Sequence, residues 1–207
     1  MKKQSLVYRN IPFYRAVMNL LYQGKYKQRF HYITKFIEGQ RVVELCFGDI
    51  YIADFCKSKN INWIGYDVNE RFLSYAKKLG FDARFADLKK LTALPEADTC
   101  IMAGSLYHFH EDLESIIQKM FDASDKIIIS EPVLNLSSSK GIIGFIAKRS
   151  ATVGDKKENF RFDKSSFLSM LTTMSSKFNF QFEIVKEFNK DIIVVLTKTG
   201  KNYKAKM

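Results

Sequence analysis

The sequence predicts one α/β domain: a largely parallel sheet with helices on both faces, closed by an antiparallel pair of strands. Three observations lead there. From residue 42 onward, short apolar runs alternate with segments of helical period, as in successive strand-helix-strand units. The last two apolar runs, "FNFQFEIVKEF" and "NKDIIVVLTK", follow one another with no room for a helix between them, so they must pair antiparallel. The 207 residues, 46% hydrophobic and 27% charged, can close one sizeable core with little left over.

The elements follow in order. Tyr14, Val17, Met18, Leu21 and Tyr22 recur at helical spacing, and Tyr26, Phe30, Ile33 and Ile37 do so again, predicting two amphipathic basic helices that cap the sheet. Strands are expected at Val42–Phe47, Trp63–Asp67, Ala83–Phe85, Thr99–Ala103 and Lys126–Ser130, with Glu131-Pro132 closing the fifth. Between them, Phe72, Tyr75, Ala76 and Leu79 form one helical stripe and Leu113, Ile116, Ile117, Met120 and Phe121 another, each suited to covering a sheet face. About thirty residues then separate the fifth strand from the next helix, longer than a compact domain usually needs and so expected to be functional. Asp163 is a natural N-cap for that helix, which presents Phe167, Met170, Leu171 and Met174 on one face. In the final pair, Phe178, Phe180, Phe182 and Ile184 alternate with polar residues, as on an edge strand with one wet face. Ile192–Leu196 is apolar throughout and therefore belongs inside the sheet.

Composition narrows the function. The net charge of +11 is concentrated in residues 1–40, in residues 132–161 and in the tail "KNYKAKM", a distribution suited to anionic partners but also to plain solubility. Cys46, Cys56 and Cys100 lie in or beside apolar segments and never form a CxxC pair, which excludes a disulfide framework and a zinc site as expectations. No apolar run approaches the ~20 residues that cross a bilayer, and "MKKQSLVYRNIPFYR" lacks the apolar stretch of a secretion signal, so a cytoplasmic protein is expected.

The candidate site begins at "VVELCFGDI", a strand-like run ending in an acid and a single glycine. Dinucleotide enzymes place several bare glycines there so that backbone N–H groups reach a pyrophosphate, and this turn cannot do that equally well. Asp67 closes the strand of "WIGYDVNERF" near the ~20-residue interval at which an acid meets a ribose, although an N-cap role for the following helix reads the same way. Asp87 closes the next strand in "ARFADLKKL". Glu44, Asp67 and Asp87 thus share the carboxyl edge of one sheet, where ligands of open α/β folds bind.

Together these features resemble the class I S-adenosylmethionine-dependent methyltransferases, over roughly residues 40–198. The resemblance implies a Rossmann-like seven-stranded sheet of order 3-2-1-4-5-7-6 with the last strand antiparallel. The single domain 1–207 is expected to comprise a basic helical cap (1–40), a cofactor-binding half (41–132), an inserted acceptor loop (133–161) and a C-terminal helix and hairpin (162–200). The resemblance also implies S-adenosylmethionine as cofactor and S-adenosylhomocysteine as product, held by Glu44, Cys46, Gly48, Asp67, Val68, Asp87, Leu88, Gly104 and Ser105. Only the middle glycine of the family's first motif is kept, at Gly48; Cys46 and Ile50 occupy the outer positions. Because this cofactor has no phosphate, Glu44 can meet its ammonium across one permissive turn, Asp67 can accept from both ribose hydroxyls, and Asp87 with the Leu88 N–H can meet the adenine.

The stretch "MAGSLYHFHED" follows the fourth strand, where this family's acceptor faces the sulfonium. His108 and Tyr107 are the candidates for accepting or orienting the acceptor's proton. His108 also reads as a structural residue at the head of the helix near Asp112, and His110 as solvent-facing. In the long loop, Ile142, Ile143, Phe145 and Ile146 stand beside Lys148 and Arg149, a stretch suited to a lid over a small-molecule, glycan or lipid-linked acceptor and to peripheral contact with an anionic membrane. The succession "SLYHF", "EPVLNLSSS" and "FRF" also looks like methyltransferases associated with polysaccharide or lipid modification. An RNA methyltransferase, using Tyr14, Tyr22 and Tyr26 among basic residues, and a noncatalytic protein of this fold are the alternatives; an NAD-dependent oxidoreductase ranks last.

Overall fold

A computed structural model of the chain describes residues 11–133, 160–188 and 190–200. The expected lid residues Ile142, Ile143, Phe145, Ile146, Lys148 and Arg149 lie outside the described residues, as do the tail from 201 onward and residues 1–10.

Helices α1 (Ile11–Leu21) and α2 (Tyr26–Thr34) precede the sheet; then come β1 (Arg41–Leu45), α3 (Tyr51–Ser58), β2 (Asn62–Asp67), α4 (Glu70–Lys78) and β3 (Asp82–Phe85). The second half runs β4 (Thr99–Ala103), a 3-10 turn at Leu106–Phe109, α5 (Leu113–Ala123), β5 (Lys126–Pro132), α6 (Lys164–Phe178), β6 (Phe180–Glu187) and β7 (Asp191–Lys198). The strands form one sheet in the order β3-β2-β1-β4-β5-β7-β6. The first five are parallel, and β7 is antiparallel to both of its neighbours.

Alternation along each strand builds two cores. Val43, Leu45, Cys100, Met102, Ile127 and Ile129 face α5 and α6, meeting Ile116, Ile117, Phe167 and Leu171. Val42, Ile101 and Ile128 face the other way, toward α1 to α4, where Tyr14, Val17, Phe30, Ile33, Ile52, Phe72 and Leu73 close the layer. Strand β7, inside the sheet between β5 and β6, feeds both: Ile192, Val194 and Leu196 point to one core, Ile193 and Val195 to the other. This is why its sequence shows no alternation.

Asp163 caps α6 as expected, accepting the Ser166 N–H at 2.7 Å while Ser166 Oγ accepts the Asp163 N–H at 2.9 Å, a reciprocal capping box. The strand expected from Phe178 starts two residues later. Phe178 ends the helix, and the left-handed Asn179 (φ 54°) turns the chain into β6. Leu79, expected on the covered stripe of α4, is 40% exposed, and Leu73 takes the buried place instead.

Candidate functional site

The strand order reverses direction between β1 and β4, which are adjacent although four elements separate them in sequence. The carboxyl ends of these two strands therefore diverge into turns on either side of a crevice, the usual ligand position in such sheets.

On the β1 side the turn runs through two left-handed residues, Cys46 (φ 53°) and Gly48 (φ 56°). Cys46 donates its N–H to Tyr66 O at 2.7 Å, and a Cβ on Gly48 would stand 3.3 Å from the Tyr14 hydroxyl, so α1 packs directly over the turn. Asp67, at the end of β2, grips the same turn: its Oδ2 accepts the Gly48 N–H at 3.1 Å and its Oδ1 the Asn69 N–H at 2.7 Å. Burial pushes this carboxyl up, while the N–H groups of Asn69, Gly48 and Val68 pull the other way. The helix N-cap is Asn69, which accepts the Arg71 N–H at 3.0 Å. Asp67 is thus relieved of the capping role that its sequence position also allowed. Its two oxygens are thereby fixed by backbone N–H groups at the mouth of the turn.

The other expected cofactor residues fall around this point. Val68 is 43% exposed beside Asp67, an apolar side chain left on the rim. Asp87 lies just past β3, accepting the Lys89 N–H at 3.1 Å, and Leu88 is buried with its carbonyl on Lys119 Nζ at 2.9 Å. Glu44 is fully buried beneath the turn. Its Oε2 accepts the Trp63 indole N–H at 2.8 Å, and its Oε1 has no hydrogen-bond partner among the described residues. Burial raises this carboxyl well above the usual range, and the charges of Asp49 and Asp67 add to the effect. An unpartnered buried carboxylate oxygen under a left-handed turn fits a site that receives a cation.

On the β4 side, Gly104 (φ 76°) turns the chain, and a Cβ there would meet Arg29 Nη2 at 2.8 Å. Ser105 precedes the 3-10 turn and interacts with the Cys46 thiol across the crevice. Tyr107 and His108, the expected catalytic pair, sit on this short helix with ring centroids 4.0 Å apart; His108 is half-buried and close enough to Asp67 for their charges to interact. His108 therefore lies within the 3-10 turn, not at the head of α5, whose N-cap position is Asp112. His110 departs from its expected solvent-facing place: it stacks on Phe160 at 4.5 Å with planes 10° apart.

Three supports of the site had no motif to announce them. Arg15 of α1 forks onto Asp49, with Nη2 to Oδ1 at 2.7 Å and Nε to Oδ2 at 3.0 Å, and Asp49 in turn accepts the Ile50 N–H at 2.8 Å. Arg29 of α2, only 3% exposed, pairs with Asp191 at 2.6 Å and donates to Ser130 Oγ at 2.8 Å and Ser130 O at 3.1 Å; Tyr22 adds a bond to Asp191 at 3.2 Å. Glu131, on the opposite face of β5, accepts the N–H groups of both Leu106 and Tyr107 at 3.1 Å. Burial and the nearby Asp191 push its carboxyl up to about 8. A basic residue 34 positions before an acid after the first-motif glycine, or an acid at the end of the fifth strand, is the only sequence trace of these contacts. Among the described residues, no group of three His, Cys, Asp or Glu side chains is placed to hold a metal ion.

No family model matches the chain, and no curated protein matches it in sequence. Solved structures do match. The magnesium protoporphyrin IX methyltransferase ChlM from Synechocystis PCC 6803, solved with bound SAH, superposes with a TM-score of 0.60 over 90% of this chain and 88% of its own, at 14% identity. The chain has the class I methyltransferase fold. A SAM-dependent methyltransferase from Thermotoga maritima, described as a possible histamine N-methyltransferase, gives a TM-score of 0.62 over 92% and 97% at 17% identity. The N-terminal domain of EvdMO1, solved in the presence of SAH and D-fucose, gives 0.60 over 83% and 82% at 19% identity. The fold is thus shared at identities where the side chains have largely been replaced. No described helix of this methyltransferase-fold chain is long and apolar enough to cross a membrane.

Proposed function

We propose that this chain is an S-adenosylmethionine-dependent methyltransferase that modifies an oxygen or nitrogen of a small-molecule acceptor, glycan and lipid-linked acceptors included. The observation that carries the reading is Asp67, whose carboxylate is fixed at the crevice by the Gly48 and Asn69 N–H groups, where it can also accept from a ribose diol. Glu44 supplies the unpartnered buried oxygen toward the amino-acid end, and Val68, Asp87 and Leu88 line the adenine side. When bound, the cofactor supplies a methyl group on an already activated sulfonium, so the chain's own task is chiefly alignment and exclusion of water. Cys46, Gly48, Gly104 and Ser105 shape the two turns around that alignment. Tyr107 and His108, on the β4 turn, are the groups positioned to orient the acceptor and to take its proton, a contribution of ~10²–10⁴-fold where a base is needed.

The reading as an RNA methyltransferase loses its aromatic platform. Tyr14 and Tyr26 are buried, bonded hydroxyl to hydroxyl at 3.3 Å, and Tyr22 turns its hydroxyl to Asp191, so none of the three is spread for base stacking. Calorimetric titration with S-adenosylhomocysteine (SAH) and with NAD tests the proposal. SAH should bind and NAD should not; Asp67→Ala should weaken SAH by ~1.5–3 kcal/mol in a folded protein, the scale of hydrogen bonds to a charged group. Binding of NAD in place of SAH, or an Asp67→Ala protein of unaltered affinity, would sink it.

A further inference from the structure

Four of the described arginines close on carboxylates: Arg15 on Asp49, Arg29 on Asp191, Arg41 on Asp98 and Arg84 on Asp82. Arg161 does not. It re-enters the described structure beside the β4 turn, half-buried, with its guanidinium 3.6 Å from the centre of the Tyr107 ring and one hydrogen bond, from Nη1 to the Phe160 carbonyl at 2.6 Å. Among the described residues no carboxylate lies within ion-pair distance of it.

Its position is fixed from both sides. Phe160 lies flat on His110, and Phe162, 3% exposed, packs edge-on against Phe167 of α6 in the core at 5.6 Å. The backbone of Arg161 is therefore clamped between two anchored aromatic rings. Tyr107 is itself held by the bond of its N–H to Glu131. A guanidinium lying face-on over an aromatic ring still directs its in-plane N–H groups outward, the geometry that receives a carboxylate or phosphate bidentately. Holding that cation in place beforehand removes much of the ordering cost of binding.

We propose that Arg161, seated on Tyr107, recognises an oxyanion of the methyl acceptor, which accordingly carries a carboxylate or phosphate group near the methylated atom. This assignment deepens the methyltransferase reading and rests on it. The oxyanion would lie across the Tyr107 ring edge, leaving the acceptor's reacting oxygen or nitrogen toward His108 and the crevice.

The test is NMR titration of the SAH-loaded protein, following the amides of Tyr107, His110 and Arg161. The probes are benzoate, phenyl phosphate and the neutral benzamide. Benzoate or phenyl phosphate should give saturable shifts at these amides and benzamide should not; the anion that binds more tightly tells a carboxylate acceptor from a phosphorylated one. Arg161→Gln should weaken the preferred anion by about 10- to 100-fold, the equivalent of a charge-assisted hydrogen bond, and Arg161→Lys by less. Both variants should keep the SAH affinity of the unaltered chain, which also certifies their fold. Should Arg161→Gln not fold, Arg161→Lys carries the comparison, since losing the planar fork must still cost affinity. Equal anion binding in the variants, equal shifts with benzamide, or no saturable shift with either anion would each overturn the assignment. Failure of SAH to bind the unaltered chain would instead remove the methyltransferase reading, and the same anion titration without cofactor would still decide whether Arg161 receives an oxyanion.

Discussion

Replacing Glu131 by Gln should convert a pH-dependent cost into a fixed one. The Glu131 carboxyl has no exposed surface, and burial, reinforced by Asp191, raises it from an ordinary 4.5 to about 8 against the pull of the Tyr107 and Leu106 N–H groups and of Arg29. A folded-state value above the unfolded one means that its stabilisation is complete below the unfolded value and is lost as pH rises through the folded value. At about 1.4 kcal/mol per pH unit, the loss across that window reaches about 5 kcal/mol. Glutamine cannot ionise. Its carbonyl can accept one of the two backbone N–H groups, but its amide faces the other, a deficit of about 1–3 kcal/mol at every pH. The variant should therefore be the less stable protein in mild acid and the more stable one in mild alkali, with the two stability curves crossing at about pH 5 to 7. Urea denaturation of both proteins at a series of pH values measures this, provided the dependence on urea is the same in each. A difference between them that stays constant with pH would refute the reasoning and show that Glu131 enters the fold already ionised.

Gly104→Ala should destabilise the fold by about 1–3 kcal/mol, because the new Cβ sits on a left-handed residue and meets the buried Arg29 guanidinium at 2.8 Å; urea denaturation would register it. Arg15→Ala strands the buried Asp49 carboxylate and should cost about 1–3 kcal/mol of stability, with a parallel loss of SAH affinity because Asp49 belongs to the turn that Asp67 holds. Calorimetry on the folded variant separates the two effects. His108→Ala should lower turnover more than SAH affinity once an acceptor is in hand; equal turnover would return His108 to a packing role against Tyr107.

The fold was legible where burial writes itself into local sequence. Ile192–Leu196 lacks alternation because its residues feed both cores, and Asp163 announces α6 because a cap acts three residues away. The boundary at Phe178 was not legible, since a phenylalanine every second residue suits a strand as well as the last turn of a helix; the left-handed Asn179 decides between them. Within the site, Asp67 and Gly48 could be found from spacing, and their direct bond explains why the spacing matters. Nothing local betrays Arg15 with Asp49 or Arg29 with Asp191. Such pairs join residues that the chain brings together only after the sheet is ordered, and long-range electrostatics leaves no periodicity. The candidate positions at the strand ends could thus be picked out from the sequence, and the supports behind them could not.

The pairing of Arg29 with Asp191 sets an order on synthesis. Tyr22 and Asp191, partners in the same buried cluster, are 169 residues apart. At ~5–20 residues per second, a ribosome needs roughly 10 to 30 s to travel between them. Throughout that interval α2 has been made but the counter-ion that lets its arginine enter the interior has not, and a lone charge there costs several kcal/mol. The nascent chain must keep α1 and α2 away from their final seats until β7 emerges and slides between β5 and β6. Closure of α1 over the β1 turn is in this way deferred until β7 has been made.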